Sequence, residues 1–303
     1  MRIAHCSDLH LLSHDGAGWL ALANKRWIGA MNLLSNRSRH YHVAAFEAMV
    51  DDLNALGIEH VLCTGDVTNL ALRQEFEFAR AKFDRLANGP LGVTVIPGNH
   101  DAYVAEGVPL FAEMFGAYNT PDPGWEWGEE HRGDAGDDLH WPIVRVRGDV
   151  ALIGMSTSRA TPWFTAYGRI GAGQLARLAL VLADPRLAGK VRFVAIHHPP
   201  AGKRAHSRIR GLRDHAELAA VIAEHGADLI VHGHEHQDLV EALPGPNGTS
   251  VPVRGVASGT YFHNKPERTA RYRIYEIEAG QVRSDHVRVW DKERGVFDSN
   301  HGT

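Results

Sequence analysis

Short apolar runs alternate with longer segments of helical period along most of the chain. Runs of β-branched and apolar residues predict strands, and apolar positions three or four residues apart predict helices. The predicted strands are 2–7, 60–64, 93–96, 142–146, 150–155, 191–196, 228–231, 251–257, 271–277 and 282–289, and the predicted helices are 42–56, 72–87, 173–182 and 214–224. This alternation indicates an α/β fold of layered sheets covered by helices.

Two stretches interrupt the alternation. Residues 119–139 combine proline, glycine and acidic residues with two tryptophans, which predicts a long surface loop. Residues 16–42 contain four Lys or Arg residues and no acid, and several of their apolar side chains share one helical face. We expect this segment to form a lid over the protein, while contact with a lipid surface or with a partner protein stays open.

Composition narrows the classes of function. The 303 residues carry 32 basic and 36 acidic side chains, a formal net charge of −4, so no nucleic-acid polymer is expected as a partner. No apolar run is long enough to cross a bilayer, and residues 1–12 lack the features of a secretory signal. We therefore expect a cytoplasmic location, with peripheral contact at the inner membrane face through 16–42 as an alternative. Cys6 and Cys63 follow apolar runs, which favours buried reduced thiols.

Histidine is abundant, with 20 copies, and several lie in polar clusters where predicted strands end. The clusters are Asp8 with His10, Gly65-Asp66, Gly98-Asn99-His100-Asp101, His197-His198, and His232-Gly233-His234-Glu235-His236. Functional sites of layered α/β proteins lie at the ends of strands, because the sheet is rigid there and the adjoining loops present the side chains. Residues two apart in an extended chain point to the same side. Asp8 with His10, and His234 with His236, can therefore each chelate a metal ion. Together the clusters indicate a metal site.

In this order, the clusters resemble the calcineurin-like dinuclear metallophosphoesterase family over residues 8–236. The resemblance implies a four-layer αββα sandwich of two mixed β-sheets flanked by helices. It also implies a single domain over residues 1–303, with the lid insertion at 16–42. The stretches Ser7-Asp8-Leu9-His10 and His197-His198-Pro199-Pro200 are most similar to the bacterial phosphodiesterase-type branch.

The resemblance also implies two divalent metal ions. Asp8, His10 and His236 would hold the first ion, Asn99, His197 and His234 would hold the second, and Asp66 would bridge them. His198 is an alternative to His197. Oxygen and imidazole ligands without thiolate favour manganese, iron or zinc.

The implied activity is that of a phosphodiesterase, in which a metal-bridging hydroxide attacks a phosphoester such as a cyclic nucleotide or a glycerophosphodiester. His100 would protonate the departing alkoxide. Asp101 would orient His100, or else cap a turn. No phosphate-binding Gly-rich loop and no Gly-x-Ser-x-Gly motif is present, which argues against a P-loop nucleotide hydrolase and a serine hydrolase.

The loop 202–214 carries five cationic side chains close to a predicted metal ligand. Arg204, Arg208, Arg210 and Arg213 are therefore candidates for substrate phosphate contacts, with a solvated surface as the alternative. Residues 16–42 also suggest a second activity, hydrolysis of a lipid pyrophosphate as by the family's UDP-diacylglucosamine hydrolases at the membrane surface. A third alternative is a non-catalytic interaction scaffold. The oligomeric state is not predicted.

Overall fold

The computed structural model describes residues 1–11, 41–133, 136–263 and 266–299. Within these ranges the strands are β1 (Arg2–Cys6), β2 (His60–Cys63), β3 (Val93–Val95), β4 (Ile143–Arg147), β5 (Val150–Gly154), β6 (Val191–Ala195), β7 (Leu229–His232), β8 (Leu239–Pro244), β9 (Ser250–Gly255), β10 (Arg271–Glu278), β11 (Gln281–Asp291) and β12 (Val296–Asp298). They form two six-stranded mixed sheets, in the orders β12-β11-β10-β1-β2-β3 and β4-β5-β6-β7-β9-β8. The prediction of two mixed sheets is confirmed.

The described α-helices are α1 (Val43–Leu56), α2 (Arg73–Phe83), α3 (Gly107–Asn119), α4 (Ala172–Ala183), α5 (Gly202–Ala205) and α6 (His215–His225). Four of them match predicted helices within a few residues, whereas α3 and the single turn α5 were not predicted. In α3, Pro109 lies in the first turn and Gly116 in the interior, which weakens the helical signal. After α3, the described residues of the predicted loop 119–139 contain one 3₁₀ turn, Glu129–His131.

The second sheet separates two apolar cores. Along β6, the side chain of Phe193 joins the core shared with the first sheet and the first three helices, whereas Val194 joins the core beneath α4 and α6. This alternation follows from the two-residue period of a strand. The layers therefore run helix, sheet, sheet, helix, as predicted. No helix among the described residues is long and apolar enough to span a bilayer.

The loops that carry the polar clusters meet where strands of the two sheets end. β1 pairs in parallel with β2, and β2 with β3, so their carboxyl ends lie side by side. A Cβ on Gly65 would lie 2.3 Å from the backbone nitrogen of Gly98, so these two loops approach too closely for a side chain. Cys6 and Cys63 are partners in the β1–β2 register, and both are buried free thiols, as predicted.

Candidate metal centre

Backbone conformation at the centre is strained. Among the described residues with positive φ other than glycine are five of the seven predicted metal ligands, with φ from 43° to 71°: Asp8, His10, Asp66, His234 and His236. L-residues rarely adopt this conformation, and each case costs about 1–2 kcal/mol. Hydrogen bonds between loops stabilise part of this strained backbone. For example, His10 N–H donates to the carbonyl oxygen of Asp66 at 2.8 Å. The strain is concentrated where ligand side chains must converge.

Asp8, His10 and His236 form one candidate ligand group. His236 Nε2 lies 3.2 Å from Asp8 Oδ1 and 3.4 Å from His10 Nε2. Asp8 Oδ1 is buried and accepts no hydrogen bond, whereas Oδ2 accepts the backbone N–H of His234 at 2.8 Å. A buried carboxylate oxygen that faces an imidazole nitrogen at 3.2 Å without a well-aligned hydrogen bond fits a position in which a cation lies between the two.

Asp66, His197 and His234 form a second candidate ligand group. The side-chain oxygen of Asn99 joins it, at 2.7 Å from His234 Nδ1 and 3.1 Å from His197 Nε2. These donors are one carboxylate, one amide oxygen and two imidazoles. Such a set suits a divalent ion of intermediate softness.

Asp66 faces both groups. Its Oδ2 lies 3.8 Å from His10 Nε2 and 3.5 Å from His197 Nε2. Its Oδ1 accepts the backbone N–H of His100 at 2.7 Å, which fixes the carboxylate between the groups. The structure thus brings together all seven side chains predicted to bind metal.

Charges within the cluster favour an ionised Asp8, neutral His10 and His234, and a protonated His197. Burial alone would raise the pKa of Asp8, but His236 and His197 lower it to about 2. Burial lowers the pKa of His10 and of His234, and neighbouring imidazoles lower it further. Burial opposes protonation of His197 as well, yet Asp66 and Asp8 raise its pKa to about 9. A metal ion bound beside His197 would displace that proton.

His100 lies beside the first group. Its ring meets the His10 ring edge-on at a centroid distance of 4.8 Å, and its Nδ1 is 2.7 Å from the carbonyl oxygen of Asn69. Asn69 also donates from Nδ2 to the carbonyl oxygen of His10 at 2.9 Å. Asn69 therefore positions both histidines, a role that no motif in the sequence indicated. With His10 and Asp66, His100 also forms a third group that could hold an ion.

Asp101 braces a turn. Its carboxylate accepts the backbone N–H of Gly98 at 2.9 Å, and it accepts both the N–H and the hydroxyl of Thr68 at 2.9 Å. None of the hydrogen bonds described for Asp101 goes to the His100 ring. Asp101 therefore holds the loop that carries Asn99, and the predicted direct orientation of His100 by Asp101 is not seen.

His198 is turned away from the two ligand groups. Its Nδ1 lies 2.7 Å from the hydroxyl of Thr157, and its Nε2 lies 3.1 Å from the carbonyl oxygen of Ala166. A Cβ on Gly168 would lie 2.4 Å from the same ring. Because both ring nitrogens have partners outside the cluster, the geometry favours His197 over His198 as the ligand.

Two of the predicted substrate-binding arginines lie beside the second group. Arg210 Nη2 is 3.4 Å from the carbonyl oxygen of His234, and Arg204 forms a 3.1 Å ion pair with Glu235. The sequence analysis did not single out Glu235 itself. Its carboxylate adds a negative charge at the rim of the centre and offsets that of Arg204.

The other two predicted substrate-binding arginines contribute differently. Arg213 places its guanidinium 4.3 Å from the centroid of the Tyr167 ring, a cation–π contact. Arg208 is exposed to solvent. None of the contacts described for these two side chains involves a residue of the ligand groups.

Tyr41 is a residue of the centre that sequence reasoning left unassigned. Its hydroxyl lies 3.4 Å from His236 Nδ1, and its ring lies 4.7 Å from the His10 ring between centroids. The predicted lid at 16–42 lies, apart from its last two residues, outside the described residues. Both residues that flank 12–40 are nevertheless close to the centre, because Leu11 N–H donates to the carbonyl oxygen of Val67 in the same loop as Asp66.

Comparison with known proteins identifies the family. Residues 1–238 match the calcineurin-like phosphoesterases. The chain belongs to this family. It is accordingly a metal-dependent phosphoester hydrolase of the dinuclear type. No curated protein sequence matches the chain.

Solved structures share the fold of this calcineurin-like phosphoesterase. A dimetal phosphatase from Danio rerio superposes with a TM-score of 0.59 at 13% sequence identity, covering 91% of this chain and 92% of that one. The purple acid phosphatase PPD1 from yellow lupin superposes with a TM-score of 0.56 at 12% identity, covering all of this chain and 56% of that one. At these identities the similarity concerns the fold.

Proposed function

We propose that the protein is a phosphodiesterase that hydrolyses a small-molecule phosphodiester at two divalent metal ions. The observation that carries this proposal is Asp66, whose carboxylate faces His10 on one side and His197 on the other. A shared carboxylate offsets the repulsion between two neighbouring cations.

The proposed ligands are those gathered by the fold. Asp8, His10 and His236 would hold one ion, Asn99, His197 and His234 the other, and Asp66 both. The absence of thiolate from this set is consistent with manganese, iron or zinc. When bound, such ions polarise the phosphoryl group and supply a nucleophile from water near neutral pH.

His100 is the proposed proton donor to the leaving oxygen. The carbonyl oxygen of Asn69 accepts Nδ1–H, so a protonated His100 offers its Nε2–H to the substrate. His10 packs against the edge of the same ring and fixes its direction. An alkoxide is a poor leaving group unless it is protonated, and His100 in this position would supply the proton.

The charge at the rim supports a diester rather than a monoester. A phosphodiester carries one negative charge, whereas a monoester carries nearly two at neutral pH. Glu235 neutralises Arg204 next to the second group, so the rim offers less positive charge than the sequence of the loop suggests. Reduced positive charge disfavours the dianion more than the monoanion.

The test compares bis(p-nitrophenyl) phosphate with p-nitrophenyl phosphate in the presence of Mn²⁺. We expect the wild type to hydrolyse the diester with the higher kcat/KM, and Asp66→Ala to lose activity on both. Glu235→Gln should lower the ratio of diester to monoester activity about threefold to tenfold, whereas the exposed control Glu224→Gln should leave it unchanged. No metal-dependent turnover of either ester would contradict the enzyme, and a higher monoester kcat/KM would contradict the diester preference.

Hydrolysis of a lipid pyrophosphate is the second candidate. The observation that favours it is that Leu11 and Tyr41, which flank residues 12–40, both lie at the centre, so this apolar and basic segment starts and ends there. Replacing residues 16–40 by a short Gly-Ser linker should abolish turnover of an acylated nucleotide-sugar pyrophosphate and spare bis(p-nitrophenyl) phosphate. Unchanged turnover of the acylated substrate would overturn this candidate. A cytoplasmic location stays a prediction.

A further inference from the structure

Two twelve-residue segments of the chain are basic and free of acidic residues. Residues 158–169 and 202–213 contain no Asp or Glu, yet together they carry seven Lys or Arg residues in a chain whose formal net charge is −4. The seven are Arg159, Arg169, Lys203, Arg204, Arg208, Arg210 and Arg213. We call these two segments the basic aromatic surface.

Backbone hydrogen bonds join the two segments into one surface. Ala166 N–H donates to the carbonyl oxygen of Ile209 at 2.8 Å, and Gly168 N–H to that of Gly211 at 3.0 Å. Arg213 N–H donates in return to the carbonyl oxygen of Gly168 at 2.9 Å. The two loops that carry these residues are therefore joined, and six of the seven cations remain once the pair of Arg204 with Glu235 is set apart.

A tight turn presents two adjacent aromatic side chains on this surface. Both the backbone N–H and the hydroxyl of Thr165 donate to the carbonyl oxygen of Pro162, at 3.2 and 2.7 Å, which closes the turn around Trp163 and Phe164. Trp163 is 54% exposed and Phe164 is 77% exposed, and Phe164 has a φ of +64°. A bulky residue in the left-handed region is strained, and here the strained position directs a phenyl ring into solvent. Ile209 adds a third exposed apolar side chain.

The basic aromatic surface is fixed to the metal centre. The ring of His198, next to the proposed ligand His197, lies 3.1 Å from the carbonyl oxygen of Ala166 within the first segment. From the second segment, Arg210 reaches the carbonyl oxygen of His234. A surface that binds this patch would therefore lie next to the centre.

We propose that the basic aromatic surface docks the protein on an anionic lipid bilayer. Trp and Phe side chains at a loop tip partition into the interfacial region of a bilayer, and nearby Lys and Arg side chains are attracted by anionic headgroups. Because neither segment contains an acidic residue, neither segment itself repels an anionic surface. An acidic protein could be bound through the positive charges alone. The exposed aromatic pair therefore favours a bilayer over an acidic protein as the partner.

The test measures partitioning of the full-length, metal-loaded chain onto vesicles of phosphatidylglycerol and phosphatidylcholine by co-sedimentation at low and high salt. The wild type should bind these vesicles and leave pure phosphatidylcholine unbound. Arg159→Gln/Arg169→Gln and Trp163→Ser/Phe164→Asn should each weaken partitioning about tenfold or more. Asparagine suits the left-handed position of Phe164, and both pairs are exposed, so the variants should unfold at the wild-type temperature.

Matched controls lie elsewhere on the molecule. Lys190→Gln/Arg283→Gln removes two charges, one just before β6 and one near the start of β11, at the end of the sheets opposite the centre. Leu91→Ser/Leu180→Ser removes two apolar side chains that are 71% and 53% exposed, similar to the aromatic pair. Both controls should partition as the wild type does. Absence of binding to anionic vesicles, equal losses in the controls, or preferential binding to a single-stranded DNA oligomer would each overturn the proposal.

Discussion

His197 Nδ1 lies 2.6 Å from the carbonyl oxygen of Thr64, 133 residues earlier in the chain. Because a carbonyl oxygen can only accept, the ring donates from Nδ1, and Nε2 faces Asp66 and Asn99. Metal-binding histidines are commonly oriented through such a bond on the other ring nitrogen. The neighbouring His198 has the opposite arrangement, with both nitrogens engaged away from the ligand groups.

This contrast predicts different effects for two adjacent substitutions. His197→Gln should lower the metal content after dialysis and reduce activity on bis(p-nitrophenyl) phosphate by at least a hundredfold, because a ligand is lost. His198→Gln should retain the metal, since its ring contacts Thr157 and Ala166. Elemental analysis checks both variants. Metal loss in His198→Gln with full retention in His197→Gln would reverse the ligand assignment.

The shared position of Asp66 predicts a difference in metal stoichiometry. His236→Ala removes a side chain that belongs to the first ligand group and not to the second, so about one equivalent of metal should remain. Asp66→Asn weakens both groups, so less than one equivalent should remain. Titration with Mn²⁺ followed by elemental analysis measures these values. Equal losses in the two variants would show that Asp66 does not serve both groups.

His60 predicts a pH dependence of stability that is separate from the metal centre. Its ring is buried at the start of β2, with Nε2 2.9 Å from the hydroxyl of Thr94. Burial, followed by repulsion from Arg145 and Arg147, lowers its pKa to about 3. A lowered histidine pKa means that the unfolded chain binds the proton first, so stability falls as pH drops from the unfolded value of about 6.5 toward 3.

His60→Gln keeps a partner for Thr94 and removes this titration. Between pH 6 and pH 4, the unfolding free energy of the wild type should decline more steeply than that of the variant, by about 1.4 kcal/mol per pH unit. Urea denaturation at each pH gives both slopes. Above pH 7 the slopes should coincide, which is the internal control. Equal slopes below pH 6 would contradict a neutral buried ring.

The buried ion pair between Arg177 and Asp137 predicts a structural contribution. The two side chains are 1% and 8% exposed, and Nη1 and Nη2 of Arg177 both donate to the carboxylate, at 2.7 and 2.9 Å. Asp137→Asn leaves a buried cation without its counter-ion and should destabilise the protein by about 2 kcal/mol or more. Glu113→Gln, which breaks the exposed pair with Arg73, should change stability little. Thermal or urea unfolding compares the two variants.

The ligand set could be predicted from the sequence because each ligand stands in a short motif after a strand. Asp8 and His10 follow β1, Asp66 follows β2, and Asn99 follows β3. Parallel pairing of these strands brings their ends together, so the local patterns indicated a shared site at the strand ends. The assignment of each ligand and the four-layer architecture came from the resemblance to the calcineurin-like family.

Other features depend on tertiary contacts that no local pattern records. Tyr41 contacts His236, a residue distant from it in the sequence. Asn69 contacts His100 through its backbone carbonyl and His10 through its side chain. In α3, the spacing of Phe111, Phe115 and Tyr118 matched a helix, but Pro109 and Gly116 obscured it. The sequence did show the arginines of 202–213, whereas their connection to the turn at Trp163 required the backbone pairing of two separate loops.

The position of β1 has a consequence for biosynthesis. β1 lies in the interior of its sheet, between β2 and β10, although its strand begins at Arg2 and β10 ends at Glu278. During translation, the strand that precedes Asp8 and His10 therefore keeps an open edge until Glu278 has left the ribosome. Closure of the first sheet around β1 is accordingly a late event, and nascent chains stalled before β10 should remain clients of chaperones.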